Sequence, residues 1–250
     1  LKHSYGYNEF RGDQLAIINH VVKGNNAFVL MPTGGGKSIC YQIPALIRDG
    51  VGIVISPLIA LMQDQVTALK AVGVKAAYIN SSMNFAEIDF TVQEIYAGNI
   101  DLLYVAPERL LMESFQNILK QIKVSLFAID EAHCVSQWGH DFRKDYTELD
   151  CLADKFPDVP RIALTATADG PTRHDIIERL KFNNSKSFVA GFDRPNINYT
   201  ITIKDNAKQQ LLAFIKEQHH HHSGIVYCIS RKAVEETALL LADKGYNALP

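Results

Sequence analysis

Short runs of β-branched and other apolar residues recur along the chain, spaced widely enough for a helix to lie between them. They are AFVLM at 27, GIVISP at 52, AAYIN at 76, LLYVAP at 102, LFAIDEA at 126 and RIALTAT at 161. Each run is apolar on both faces, the pattern of a strand covered on both sides. Such strands joined by crossover helices predict a parallel sheet sandwiched between helices, an α/β layered domain. Sites in these sheets form at the carboxyl ends of strands. Polar residues gather at those ends: after Met31, after Ile55, after Val105, at Asp130 and at Thr165.

The alternation weakens near 185–208, where FDRPNINYTITIKDNAK reads as a connecting stretch. A further strand, GIVYCIS at 224, and a helix from about Lys232 are expected after it. The pattern therefore predicts a first domain over 1–204, including the connecting stretch from about 185, and the opening part of a second over 205–250. The chain begins with Leu1 and reaches Pro250 before a second sheet could be completed, so it reads as part of a longer protein with further domains downstream.

At 250 residues and 47% apolar composition the chain is large enough to bury a substantial core. Its formal charge of −2 carries no basic excess, so a nucleic-acid partner would be gripped by local patches. Cys40, Cys134, Cys151 and Cys228 are scattered with no C-x-x-C pair, which fits a reducing cytoplasm and argues against a zinc site. No apolar run reaches eighteen residues, so no membrane span is expected. Four adjacent histidines, His219 to His222, cannot all face one ion and read as a solvated tract.

The chemistry begins at MPTGGGKS, residues 31–38, between a predicted strand and a predicted helix. Glycines there let backbone N–H groups turn inward around an anion, and a helix N-terminus adds favourable potential. Thr33, Gly34, Gly35 and Gly36 would form the cradle, Lys37 would reach the β and γ phosphates, and the Ser38 hydroxyl would hold Mg²⁺. Met31 stands where the strict phosphate-loop pattern has its first glycine. Kinases, GTPases and motors share such a loop, so the second acidic site decides. LFAIDEAH at 126–133 ends a strand with two carboxylates: Asp130 suits Mg²⁺, and Glu131 suits the orientation and deprotonation of an attacking water. Hydrolysis by water is thereby favoured over transfer to a metabolite.

MPTGGGKS and DEAH together resemble superfamily 2 helicases, and the surrounding segments resemble the RecQ family of DNA helicases. Those segments are GYNEFRGDQ at 6, SPLIALMQDQV at 56, YVAPERL at 104, DEAHCVSQWGHDFR at 130, ALTATAD at 163, FDRPNI at 192 and GIVYCISR at 224, in family order. The resemblance implies a RecA-like first domain and the start of a second. It also implies ATP with Mg²⁺ as cofactors and an ATP-driven motor that moves 3′ to 5′ on single strands and unwinds duplexes. Tyr7 and Arg11 would stack on adenine while Gln14 reads its N6/N7 edge. His133 would couple the sites, Trp138, Phe142 and Arg143 would meet single-stranded DNA, and Thr165 and Thr167 would link nucleotide to DNA. Arg231 would touch the DNA backbone. Exposed aromatic faces beside a basic group are what unpaired bases stack on. Family members hydrolyse ATP between two RecA-like domains with an arginine finger from the second, so this segment is expected to bind ATP·Mg²⁺ and DNA without unwinding alone. Single-stranded and branched DNA are the implied partners, in repair and recombination, for a monomeric fragment in a bacterial cytoplasm or a nucleus. An RNA helicase, or a clamp that binds nucleic acid without unwinding it, is the alternative.

Overall fold

The computed structural model describes residues 5–6, 8–139, 141–182, 184–191, 197–219 and 222–250. These group into two units, residues 1–193 and 194–250. In the first, seven strands form one sheet: β1 (Ala27–Leu30), β2 (Val51–Ile55), β3 (Ala76–Ile79), β4 (Leu102–Val105), β5 (Val124–Ile129), β6 (Arg161–Thr165) and β7 (Lys186–Val189). Their order is β3-β4-β2-β5-β6-β1-β7, and every pairing is parallel. Nine α-helices accompany the strands among the described residues, besides short 3-10 turns at Ala132–Val135 and Glu148–Asp150: α1 (Gln14–Val22), α2 (Ile39–Ile47), α3 (Ile59–Ala71), α4 (Phe85–Tyr96), α5 (Pro107–Leu111), α6 (Glu113–Leu119), α7 (Lys144–Thr147), α8 (Cys151–Lys155) and α9 (Gly170–Arg179).

The two-residue period of a strand sorts the apolar runs into two cores, one on each face. Phe28, Leu30, Ile53, Ile55, Leu103, Val105, Phe127 and Ile129 meet Val92 and Ile95 of α4, Phe115 of α6 and Ile176 of α9. Val29, Val54, Leu102, Tyr104, Leu126, Ala128 and Leu164 turn the other way, onto Ile17 of α1, Tyr41 and Ala45 of α2, and Met62, Val66 and Leu69 of α3. Each core side chain taken out of water stabilises the fold by roughly 1.5–3 kcal/mol. This accounts for five of the six predicted strands, since β1, β2, β4, β5 and β6 are buried along their whole length, while β3 is half-buried at Ala77 and Tyr78.

Two segments differ from the sequence expectation. Residues 186–189, inside the expected connecting stretch, form the edge strand β7 on β1. Only Phe188 of that strand is buried, so no two-sided apolar run marked it. Conversely, 224–230 form no strand. A strand needs a neighbour to receive its N–H and C=O groups, and Ile225, Tyr227 and Ile229 of this segment are fully exposed. The second unit instead holds two helices, α10 (Ala207–Gln218) and α11 (Arg231–Asp243). Asn206 and Ser230 cap them, each accepting from a backbone N–H three residues on. The FDRPNI segment lies, but for Ile197, outside the described residues, as do His220 and His221.

Close approach of α2 to the sheet requires a glycine at 52. A Cβ there would lie 2.6 Å from the Ala45 Cβ and 3.2 Å from Leu102 Cδ2. Gly52→Ala is expected to lower unfolding free energy by about 1–3 kcal/mol, measurable by denaturant unfolding. Unchanged stability would show that helix and sheet separate more freely than this packing allows.

Candidate active site

The chain leaves β1 at Leu30, and the Met31 N–H donates to the Thr165 carbonyl at 3.1 Å, extending the β1–β6 ladder by one bond. It then turns through Gly34 and Gly36, at φ +76° and +78°, a region that favours glycine. Thr33 and Gly34 are exposed, while Gly35, Gly36, Lys37 and Ser38 are half-buried. Lys37 Nζ lies back across the loop on the Met31 carbonyl at 3.2 Å. Among the described residues it has no carboxylate within ion-pair distance. A lysine held over a glycine cradle with no acidic partner of its own fits an anion from outside the chain. Ser38 sits at the mouth of α2.

Gln14 is placed differently from the sequence expectation. It is buried, its Nε2 donates to the Gly35 and Gly36 carbonyls at 3.1 and 3.3 Å, and its Oε1 accepts from the Arg11 N–H at 2.9 Å. The carboxamide thus braces the loop from behind, and reading an adenine edge would require it to exchange these partners. Arg11 is exposed beside it, and Tyr7 lies outside the described residues.

β5 ends at Ile129, and the Asp130 N–H donates to the Ile55 carbonyl at 2.9 Å while the Tyr146 hydroxyl holds the Asp130 carbonyl at 3.0 Å. Burial pushes the Asp130 carboxyl up to about 6, with the Glu131 charge adding to the effect and the Glu131 N–H, Lys37 and His133 opposing it. Such a carboxylate gains most from a cation. The Asp130 carboxylate and the Ser38 hydroxyl are both hard oxygen donors, the kind that Mg²⁺ would take.

Glu131 adopts φ 49°, ψ 46°, the left-handed region, at a cost of about 1–3 kcal/mol for a residue with a Cβ. Its own N–H donates to Asp130 Oδ1 at 3.0 Å, and its carbonyl accepts the Cys134 N–H at 2.9 Å. Buried His133 then places Nδ1 3.2 Å from Glu131 Oε2 and 2.9 Å from Thr165 Oγ1. The Thr165 hydroxyl is also 3.2 Å from the Thr167 carbonyl and accepts the Thr167 N–H at 3.2 Å. Glu131, His133, Thr165 and Thr167 thereby form one connected group across β5 and β6.

The following loop runs straight off this group. Ser136 is buried; its Oγ accepts the Trp138 N–H at 3.2 Å and its carbonyl accepts the Gly139 N–H at 3.0 Å. A Cβ at Gly139 would lie 2.5 Å from the His133 carbonyl oxygen. Trp138 is 78% exposed and Phe142 42%, an unusual display for large aromatics held by so tight a turn. Arg143 is less free than expected: Nη1 donates to the Pro57 carbonyl at 2.9 Å, Nη2 lies 3.4 Å from Asp141 Oδ2, and its N–H donates to Cys134. It braces the loop while lining a cleft of about 490 Å³ with Pro57, Ser81, Ala106, Glu108 and Arg109. That cleft opens beyond the carboxyl ends of β2, β3 and β4. Arg109 and Ser81 were not singled out from sequence, although YVAPERL marked the segment that holds Arg109. Arg231 opens α11 in the second unit. Among the described residues no cluster of His, Cys, Asp and Glu forms a metal site, and no helix is long and apolar enough to cross a membrane.

Residues 11–176 match the family described as DEAD/DEAH box helicase. The chain is 48% identical over 248 residues to the ATP-dependent DNA helicase RecQ of Haemophilus influenzae, covering 99% of this chain and 40% of that protein. It is 44% identical over 237 residues to the protein of the same name from Bacillus subtilis, covering 94% and 40%. It is 41% identical over 254 residues to the RecQ-like DNA helicase BLM of Xenopus laevis, covering 98% and 19%. The chain thus spans about two fifths, or less, of the length of these relatives. The solved DUF1998 helicase MrfA shares its fold, with TM-score 0.69 at 19% identity over 100% of this chain and 41% of that one. So does a hypothetical ATP-dependent RNA helicase from Sulfolobus tokodaii, with TM-score 0.59 at 21% identity over 94% and 69%.

The raised Asp130 carboxyl carries a pH signature. Above about pH 6 it is ionised in both folded and unfolded states and its burial opposes folding. As pH falls from about 6 towards 3.8 the folded state takes up the proton first and the penalty fades. Without nucleotide, Asp130→Asn is expected to stabilise the protein by about 2–3 kcal/mol at pH 7.5, with the gain shrinking through that window in denaturant titrations. A gain of equal size at pH 7.5 and pH 4 would contradict the assignment.

Proposed function

We propose, for a chain that belongs to the DEAD/DEAH box helicase family, that it is the ATP-binding motor portion of a DNA helicase of RecQ type. The observation that carries this reading is the continuity of the site. Glu131 is linked through His133 to Thr165, and the same short turn carries the exposed Trp138 and Phe142. A hydrolytic carboxylate and a base-stacking surface that share one rigid turn are arranged to sense each other. The likeness to relatives named as ATP-dependent DNA helicases supports DNA as the nucleic acid.

In this reading Lys37 and the backbone of Thr33 to Gly36 hold the β and γ phosphates, and Arg11, with Tyr7, holds the base. Gln14 either leaves the loop carbonyls to read adenine or reports the loop's state through them. Ser38 and Asp130 hold Mg²⁺, which when bound neutralises charge on the phosphate oxygens. Glu131 orients the attacking water and receives its proton. Trp138 and Phe142 stack on bases of a single strand, Arg143 keeps their loop docked on Pro57, and His133 passes the loop's position to Glu131. Residues 1–204 are the first RecA-like domain and 205–250 the start of the second, which brings the arginine finger and, with Arg231, a backbone contact. The full-length protein then moves 3′ to 5′ and acts on branched as well as single-stranded DNA.

ATP turnover by the full-length protein, with and without single-stranded DNA or RNA, tests the reading. DNA is expected to stimulate turnover and RNA to do so weakly. Glu131→Gln should lower turnover by about 10²–10⁴-fold with nucleotide binding kept. Trp138→Ala should weaken single-strand binding by about 1–3 kcal/mol and uncouple stimulation. Equal stimulation by RNA would favour an RNA helicase, and turnover indifferent to both nucleic acids would reject the motor reading.

A further inference from the structure

Helix α10 closes on a histidine. The N–H of His219, its C-cap, donates to the Ile215 carbonyl at 3.0 Å, and the His222 N–H donates to the His219 carbonyl at 3.0 Å. The chain thus doubles back within three residues before it runs on to 224–230, and the two side chains meet. Their Nδ1 atoms lie 3.1 Å apart and their ring centroids 5.4 Å apart. Phe214 of α10 packs on the His219 ring with centroids 4.6 Å apart. That contact limits the rotation of the first imidazole, and the backbone bond limits where the second can go.

Two neutral imidazoles can meet through Nδ1 in two ways. One donates and the other accepts, or both present lone pairs to a single metal ion and keep their protons on Nε2. The spacing suits the second arrangement. At a metal–nitrogen distance of about 2.0–2.1 Å, two ligands of a tetrahedral ion stand about 3.3 Å apart and two ligands at right angles about 2.9 Å. The observed 3.1 Å falls between these values, so the two nitrogens already have the separation of adjacent ligands. The place favours positive charge as well, because the last carbonyls of a helix carry the negative end of its dipole. No group of three or more His, Cys, Asp and Glu side chains converges among the described residues. Two imidazoles are therefore the ligands the described residues supply, with water filling the remaining positions. Imidazole suits a borderline cation such as Zn²⁺, Ni²⁺ or Cu²⁺, whereas Mg²⁺ takes oxygen.

We propose that His219 and His222 form a two-imidazole site for a divalent transition-metal ion at the end of α10. It is separate from the Mg²⁺ site proposed at Ser38 and Asp130, and it does not depend on the helicase reading. Bound there, the ion joins the last turn of the helix to the start of the segment that follows, and so fixes the direction in which the chain leaves α10.

Zn²⁺ is titrated calorimetrically into the full-length protein as purified, in excess Mg²⁺ so that oxygen sites are filled. His219→Ala, His222→Ala and the double variant His220→Ala/His221→Ala are compared with it, and circular dichroism checks that each keeps its fold. The unaltered protein is expected to take up one Zn²⁺ that His219→Ala and His222→Ala each weaken by about 10–100-fold or more, since losing even an outer-shell partner of a metal costs that much. The double variant is expected to keep the site. With Cu²⁺ as the probe, electron paramagnetic resonance should count two imidazole nitrogens in the unaltered protein and one in each single variant. Losses spread evenly over all four histidines, or more than two nitrogens on Cu²⁺, would show a tract that collects metal without a defined site. Zn²⁺ uptake that neither single variant changes would leave the pair as a hydrogen bond alone. Each of these results overturns the proposal.

Discussion

Three adjacent parallel strands, β5, β6 and β1, must end almost level for the site to exist. Ile129 pairs with Ala163 and Leu30 with Thr165, and the Met31 N–H adds one more bond to the Thr165 carbonyl. That register places Asp130, Thr165 and the phosphate loop side by side, although they are distant in the chain. Parallel pairing forces a crossover between each of these strands, so no local segment could assemble the group. The burial of β1, β5 and β6 along their whole length fixes the register, because a one-residue slip would exchange the two core faces.

Within that frame the polar residues accept local costs. Asp130 is buried next to a second carboxylate, and Glu131 occupies a backbone region that its Cβ disfavours. Both persist because the surroundings over-determine them: the Ile55 carbonyl, the Tyr146 hydroxyl, the Cys134 N–H and His133 each hold one atom of the pair. Local rules fail where function is concentrated. The acidic end of β5 and Lys37, which among the described residues has no carboxylate within ion-pair distance, bring opposite charges to one end of the sheet.

The legibility of the sequence follows the same division. Strands buried on both faces announced themselves as apolar runs, and the phosphate loop and DEAH segments were readable because glycine, lysine and paired carboxylates have few other uses at strand ends. Strand β7 was missed because only Phe188 of it is buried, and 224–230 read as a strand because an apolar run does not reveal whether a neighbour is present. Gln14 and Arg143 were identified as site residues, but which atoms they touch depends on tertiary contacts that no spacing encodes. The His219–His222 pair was invisible for a different reason. Four adjacent histidines read as one solvated tract, and only the bond from the His222 N–H to the His219 carbonyl brings two of their rings together.

The central claim is that the exposed turn after the acidic pair meets nucleic acid and is mechanically joined to the nucleotide site. Trp138 is the only tryptophan of the 250 residues, so tryptophan emission, excited where the ten tyrosines do not absorb, reports that turn alone. The measurement is its emission during titration with a single-stranded oligonucleotide, with and without a non-hydrolysable ATP analogue and Mg²⁺, beside anisotropy of the labelled strand. The account predicts quenching on binding, with a midpoint that moves when nucleotide is present. Binding seen by anisotropy with no change in Trp138 emission would contradict it.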